Sequence, residues 1–132
     1  MRLVTLTLAA ALAVPATVAG AQSFRADNRV TVTAQQGGLF SVPSASRFGA
    51  RGAWCAAADY AESVLGASGT SRLYVRTPVS GNSGPVVFGL TPGETTPVRV
   101  QGTTAALRTA GSSLSVDHAI QFCADARLIN NR

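Results

Sequence analysis

The side chains in this chain that could do covalent or metal chemistry are few: two cysteines, Cys55 and Cys123, one histidine, His118, and six scattered carboxylates. A cysteine pair can be a redox couple, a metal site or a structural bond. A redox couple draws on the close Cys-X-X-Cys spacing that lowers a thiol pKa, and residues 55 and 123 are far apart. Zinc needs a cluster of His and Cys at ligand spacing, and calcium needs a loop of oxygen donors; neither pattern is present. In an oxidising compartment the pair has one intramolecular connectivity. The chain-entropy account gives a loop of this length roughly 4 kcal/mol of stabilisation. A Cys55–Cys123 disulfide is therefore expected.

His118 could serve as a general base if Asp117 or Asp125 oriented its ring. On a helix, however, Asp125 lies two turns away, about 10 Å along the axis, and Asp117 projects in another direction. Asp59 and Glu62 are three apart, but only Glu62 would flank the apolar side of its helix, so they make a poor acid/base pair. The turn Ser80-Gly81-Asn82-Ser83-Gly84-Pro85 resembles the Gly-Asp/Asn-Ser-Gly-Gly-Pro loop around the nucleophile of chymotrypsin-like proteases. It is one glycine short, and the histidine follows the serine instead of preceding it. A Gly/Asn/Ser-rich turn accounts for it as well. No Gly-rich phosphate loop precedes a helix. No cofactor is implied, and a small hydrolase using His118 is the second reading of the chain, behind a non-enzymatic one.

The elements that would position these residues can be read from periodicity. Val30-Thr31-Val32-Thr33 alternates, Gln36-Gly37-Gly38 turns, and Leu39–Val42 returns until Pro43, which together make a hairpin. Residues 51–65 read as a helix with Trp54, Ala57, Ala58, Ala61, Val64 and Leu65 on one face, Cys55 on its flank, and Gly66 as the stop. Arg72-Leu73-Tyr74-Val75-Arg76 alternates again. Val86–Leu90 is the most apolar strand and belongs at the centre of a sheet. Val98-Arg99-Val100 reads as a further short strand. Thr103–Ser112 fits strand or helix and stays open. Residues 116–128 make a second helix, with Ser115 as N-cap, Val116, Ala119, Ile120, Cys123 and Ala126 inward and His118 outward. The expected architecture is α+β: a small antiparallel sheet with two helices on one face, joined to each other by the disulfide.

That alternation gives the sheet a second face with its own chemistry. If Leu73 and Val75 point into the core, then Arg72, Tyr74 and Arg76 share the opposite face. The same reasoning sends Arg29 and Arg99 outward. All eleven basic residues are arginine, against six acids, and the excess favours an anionic neighbour without specifying one. The candidate anion-binding set is Arg29, Arg72, Tyr74, Arg76 and Arg99. It suits a phosphate-bearing headgroup, an acidic glycan or an acidic protein surface of the cell envelope. Nucleic acid is disfavoured, because that face carries a single aromatic for base stacking.

The amino-terminal segment reads as an export signal: Met1-Arg2, an apolar stretch from Leu3 to Val14, the breaker Pro15, and small residues at Ala19 and Ala21. Cleavage is expected between Ala21 and Gln22, leaving residues 22–132 as one domain. Pro15 and the small-residue tail interrupt the apolar run needed to span a bilayer, so no transmembrane segment is expected in the mature chain. Phe24-Arg25-Ala26-Asp27-Asn28, the Trp54-Cys55 helix and the late Phe122-Cys123 resemble small exported proteins of alphaproteobacteria. The resemblance implies a periplasmic address and supports pairing the cysteines, and carries over no functional site. A secreted protein is the other form of the same expectation.

Overall fold

The computed structural model describes residues 13–15 and 22–130, and apart from 13–15 the expected signal segment, including Ala21 at the cleavage bond, lies outside the described residues. Six strands, β1 (Ser23–Arg25), β2 (Thr31–Ala34), β3 (Phe40–Pro43), β4 (Arg72–Thr77), β5 (Pro85–Gly89) and β6 (Ser113–Ser115), form one sheet in the order β1-β2-β3-β5-β4-β6. Every neighbouring pair is antiparallel. The apolar strand β5 sits inside the sheet between β3 and β4, as its composition requires. Helix α1 (Gly49–Ser63) packs on one face. It is itself covered by α2 (Thr103–Leu107), α3 (Val116–Ile120) and a 3-10 turn (Gln121–Cys123) that leads into α4 (Ala124–Asn130). The fold is α+β, with the helices gathered on one side of the sheet.

Register explains which side chains reach the core. Across the strands, Ala34 faces Phe40, Phe40 faces Phe88, and Phe88 faces Val75, while Val42 faces Val86 and Leu73 faces Leu114. These point toward α1. The intervening residues Thr33, Ser41, Val87, Tyr74 and Ser113 form the other face. A bulge between Val75 and Thr77 leaves Arg76 without a pairing partner on β5. Phe24, Tyr60, Phe40, Phe88 and Trp54 meet in sequence, with centroids 4.5 to 5.9 Å apart, a chain of rings running through the interior. Each such contact contributes about 0.5–1.5 kcal/mol beyond the area it buries.

Helix α1 is more deeply enclosed than an amphipathic pattern implies: Gly52 to Ala58, Tyr60 and Ala61 are all buried. Packing on several sides requires small side chains, and Ala56-Ala57-Ala58 supply them without helix cost. Trp54 is wholly buried and its indole N–H donates to the Thr103 carbonyl at 3.2 Å, fixing the start of α2 over the helix. Asn28, also buried, donates from its amide to the Gly52 carbonyl (2.9 Å) and accepts from the Val30 N–H (3.2 Å), tying the β1–β2 turn to α1. The helix ends at Ser63, earlier than its pattern implied. Gly66 takes a φ of 66°, and the Ala67 N–H donates to the Ala61 carbonyl. Val64 consequently falls outside the core, at 51% exposure.

The expected disulfide is present. Cys55 and Cys123 are bonded with their Cα atoms 5.0 Å apart, linking α1 to the 3-10 turn across 68 residues of sequence. The second helix starts where its N-cap places it, with the Ser115 hydroxyl accepting from the His118 N–H. It runs as α3, a 3-10 turn and α4 instead of one uniform helix. Four further differences stand out. Strands β1 and β6, three residues each, carry too little alternation to be recognised. Residues 103–107 are helical. Val98–Val100 is not a sheet strand: it makes a single parallel bridge, Val98 to Ser112, through the Val98 N–H and the Gly111 carbonyl. Arg29 stands in the β1–β2 turn with a φ of 65°, not in β2.

Two predictions follow from this frame. Replacing both cysteines by serine should lower unfolding stability in urea by about 4 kcal/mol, and the native protein's intact mass should rise by two hydrogens on reduction. Gly111 has a φ of 84°, and a Cβ there would overlap the Thr96 carbonyl oxygen, whereas one at Gly37 (φ 72°) would meet nothing. Gly37→Ala should therefore cost only the left-handed backbone penalty, about 1–2 kcal/mol. Gly111→Ala should cost measurably more in the same urea titration, because the 96–98 segment must also move.

Candidate functional site

The close approach of Gly111 to Thr96 sets the segment Pro97–Gln101 beside the open face of the sheet at its β4–β6 end. Between them lies a cleft of about 730 Å³. Arg72 and Tyr74 from β4 and Ser113 from β6 form its floor, and Pro97 to Gln101, including Arg99, form its wall. Tyr74 and Ser113 are directly paired across the two strands. The cleft thus gathers three of the five residues that strand alternation singles out: Arg72, Tyr74 and Arg99.

Arg72 is held in place by a neutral brace. Its Nε donates to the Ser113 hydroxyl at 2.9 Å and its Nη2 to the Ser113 carbonyl at 3.2 Å. Those bonds orient the guanidinium without neutralising it, and Nη1 keeps its donors. Arg99 is exposed on the wall and makes no ion pair among the described residues. No carboxylate lines the cleft.

The other two candidates lie elsewhere. Arg76, the bulge residue, is on the same sheet face but lies across Gly89 and Gly93, with Nη1 3.4 Å from the Thr91 carbonyl. It packs down the loop after β5, and any side chain at Gly93 would collide with its guanidinium. Arg29 lines a separate hollow of about 350 Å³ with Arg47, Val30, Pro43 and Phe48, next to the β1–β2 turn. The Ser46 hydroxyl, at the edge of that hollow, is buried without a hydrogen-bond partner among the described residues.

Charge is sorted by location. On the helix side, Arg51 makes a two-point pair with Asp125 (2.8 and 3.0 Å) while its guanidinium lies 4.8 Å from the Phe122 ring centre. Arg127 meets Asp27 at 3.1 Å. Both carboxylate oxygens of Asp59 are engaged, one by the Asp27 N–H (2.7 Å) and one by the Ser63 hydroxyl (2.9 Å). Exposed pairs of this kind contribute about 0–1 kcal/mol each, but they engage Asp27, Asp59 and Asp125 on the helix side. The arginines of the cleft have no such counterparts.

The residues considered for catalysis are not brought together. His118 is exposed and packs its ring against Phe122, 5.5 Å between centroids. Asp125 is turned to Arg51, and the Asp117 carboxylate occupies the space left by the missing side chain of Gly69. The Ser80–Pro85 turn is built for structure: Gly84 accepts from the Ser44 hydroxyl (2.6 Å) and Gly81 from Arg108 (2.8 Å). Among the described residues, no three His, Cys, Asp or Glu side chains converge as a metal site would require.

Gln101 and Ser113 are the members of the cleft that periodicity does not reveal. Ser113 belongs to a strand of three residues, and Gln101 to a segment whose alternation suggests sheet but which forms a wall. Neither has a local signal. Comparison with known protein families, with curated proteins and with solved structures finds no match for this chain.

Proposed function

We propose that this is an exported, non-enzymatic binding domain of the cell envelope, periplasmic in its working location, which holds an anionic envelope component in the cleft between the β4–β6 face and residues 97–101. The observation that carries the reading is the pairing of Arg72 and Arg99 across a concave site without a carboxylate in its lining. Such guanidiniums offer planar, two-point recognition to carboxylate, phosphate or sulfate groups. The brace from Ser113 orients Arg72 before a ligand arrives, which reduces the entropy lost on binding. Export is supported by the three-part amino-terminal segment and by the disulfide, a bond that persists in oxidising compartments. Among the described residues no helix is long and apolar enough to cross a membrane.

Binding of the purified, disulfide-bonded protein to immobilised dextran sulfate provides the test. Arg72→Gln and Arg99→Gln should each weaken retention about tenfold, as expected for losing one charge-assisted contact. Retention should also fall as salt is raised. Arg29→Gln, in the other hollow, should leave it within about twofold, since charges beyond a Debye length are screened. Absence of retention by the parent, or equal loss from Arg29→Gln and Arg72→Gln, defeats the cleft reading. Export has a separate check: amino-terminal sequencing of the protein from a periplasmic extract should begin at Gln22.

A further inference from the structure

We infer that the anionic partner is a sugar chain: the cleft is built for a short stretch of carboxylate-bearing glycan, with Tyr74 as the platform for a sugar ring. This rests on the anion-binding reading above and narrows it. Three features of the cleft exceed what a bare anion needs.

The first is shape. A volume of about 730 Å³ between a sheet face and a standing wall lies in the range of sites that enclose an organic ligand of several rings' size, which is about 300–1,000 Å³. A lone phosphate or sulfate would leave most of it unfilled. A bilayer surface is flat over the width of this domain and cannot follow a wall that rises beside the strand.

The second is Tyr74. It is half-buried on the floor, and its neighbour within the cleft is Ser113, too short to cover it. A tyrosine in this position offers an apolar ring and a polar tip together, which matches a sugar's C–H face and its hydroxyls. An anion could use the hydroxyl but has no use for the ring.

The third is the neutral polar groups. Gln101 provides both donors and an acceptor, and Ser113 a hydroxyl. Hydroxyl-rich ligands need such mixed partners; a phosphate accepts only. Arg72 and Arg99 then supply the fork for a carboxylate on the sugar. The absence of lysine from the whole chain leaves planar guanidinium as the sole side-chain cation of the lysine–arginine type, and its shape fits a carboxylate in two-point fashion.

Calorimetric titration of the disulfide-bonded protein decides the matter. The probes are galacturonate oligomers, their methyl esters, inorganic polyphosphate, phosphatidylglycerol vesicles and polyglutamate. The galacturonate oligomer should bind, and its methyl ester should bind about tenfold more weakly or worse for want of the charge. Tyr74→Ala should weaken oligomer binding about tenfold while changing inorganic polyphosphate binding less than about twofold, and Tyr74→Phe, which keeps the ring, should retain most of it. An unfolding titration of Tyr74→Ala shows that any loss is not loss of fold. If inorganic polyphosphate or the vesicles bind in an Arg72-dependent way and the oligomer does not, the glycan assignment falls and the anion reading stands. Stronger binding of polyglutamate than of the oligomer assigns the cleft to an acidic protein instead. If no probe binds, both readings fall together.

Discussion

A helix enclosed on several sides is the condition on which this fold depends. Helix α1 has the sheet beneath it and α2, α3 and the 3-10 turn around it, so only its exposed edge, with Arg51, Asp59, Glu62 and Ser63, can carry polarity. The alanine run keeps the helix slim enough for those neighbours to approach. Trp54 fills the one large space and spends its N–H on Thr103. Asn28 reaches in from the β1–β2 turn, and Cys55 reaches out to Cys123. The start of α2, the β1–β2 turn and the 3-10 turn are therefore each attached to α1 by a specific bond, while α3 is held by packing. Hydrophobic area alone would leave a domain of this size only marginally stable.

With the described helices gathered on one side, the other face of the sheet is left to solvent. Asp59 of α1, Asp27 of the β1–β2 turn and Asp125 of α4 are engaged by main-chain and hydroxyl donors, by Arg127 and by Arg51 in turn. The cleft arginines are braced by neutral groups or by nothing. A protein with a modest net charge can in this way present a strongly one-signed patch. Potential depends on where opposite charges sit, not on their total.

Strand alternation and helical periodicity made most of this architecture legible. The β2–β3 hairpin, β4, the interior position of β5, α1, the start of α3 and the cysteine pair follow from residue types at fixed intervals. So does the placing of Leu73 and Val75 inward and Arg72 and Tyr74 outward. What escaped was short or depended on distant partners. β1 and β6 exist because β2 and β4 offer them edges, a fact no three-residue window contains. Thr103–Leu107 became helix through its contact with Trp54, an override of ambiguous local preference. Val98–Val100 alternates like a strand, yet Gly111 brings it alongside Ser112 for one bridge only, and it serves as a wall. Arg29 and Arg76 lie outside the core, as alternation expects, but neither lines the cleft. Alternation gives the face of a side chain, and not whether a left-handed turn or a bulge sets it apart from its neighbours on that face.

The spacing of the two half-cystines has a bearing on how the molecule is made. Ribosomes deliver the chain from its amino end, and position 55 waits for a mate 68 residues downstream. By the time Cys123 emerges, all six strands, α1 and the cleft wall have been synthesised. A chain cut short anywhere before that point has a lone thiol and cannot form this bond. The bond can therefore close only after the sheet, α1 and the cleft wall have all been made.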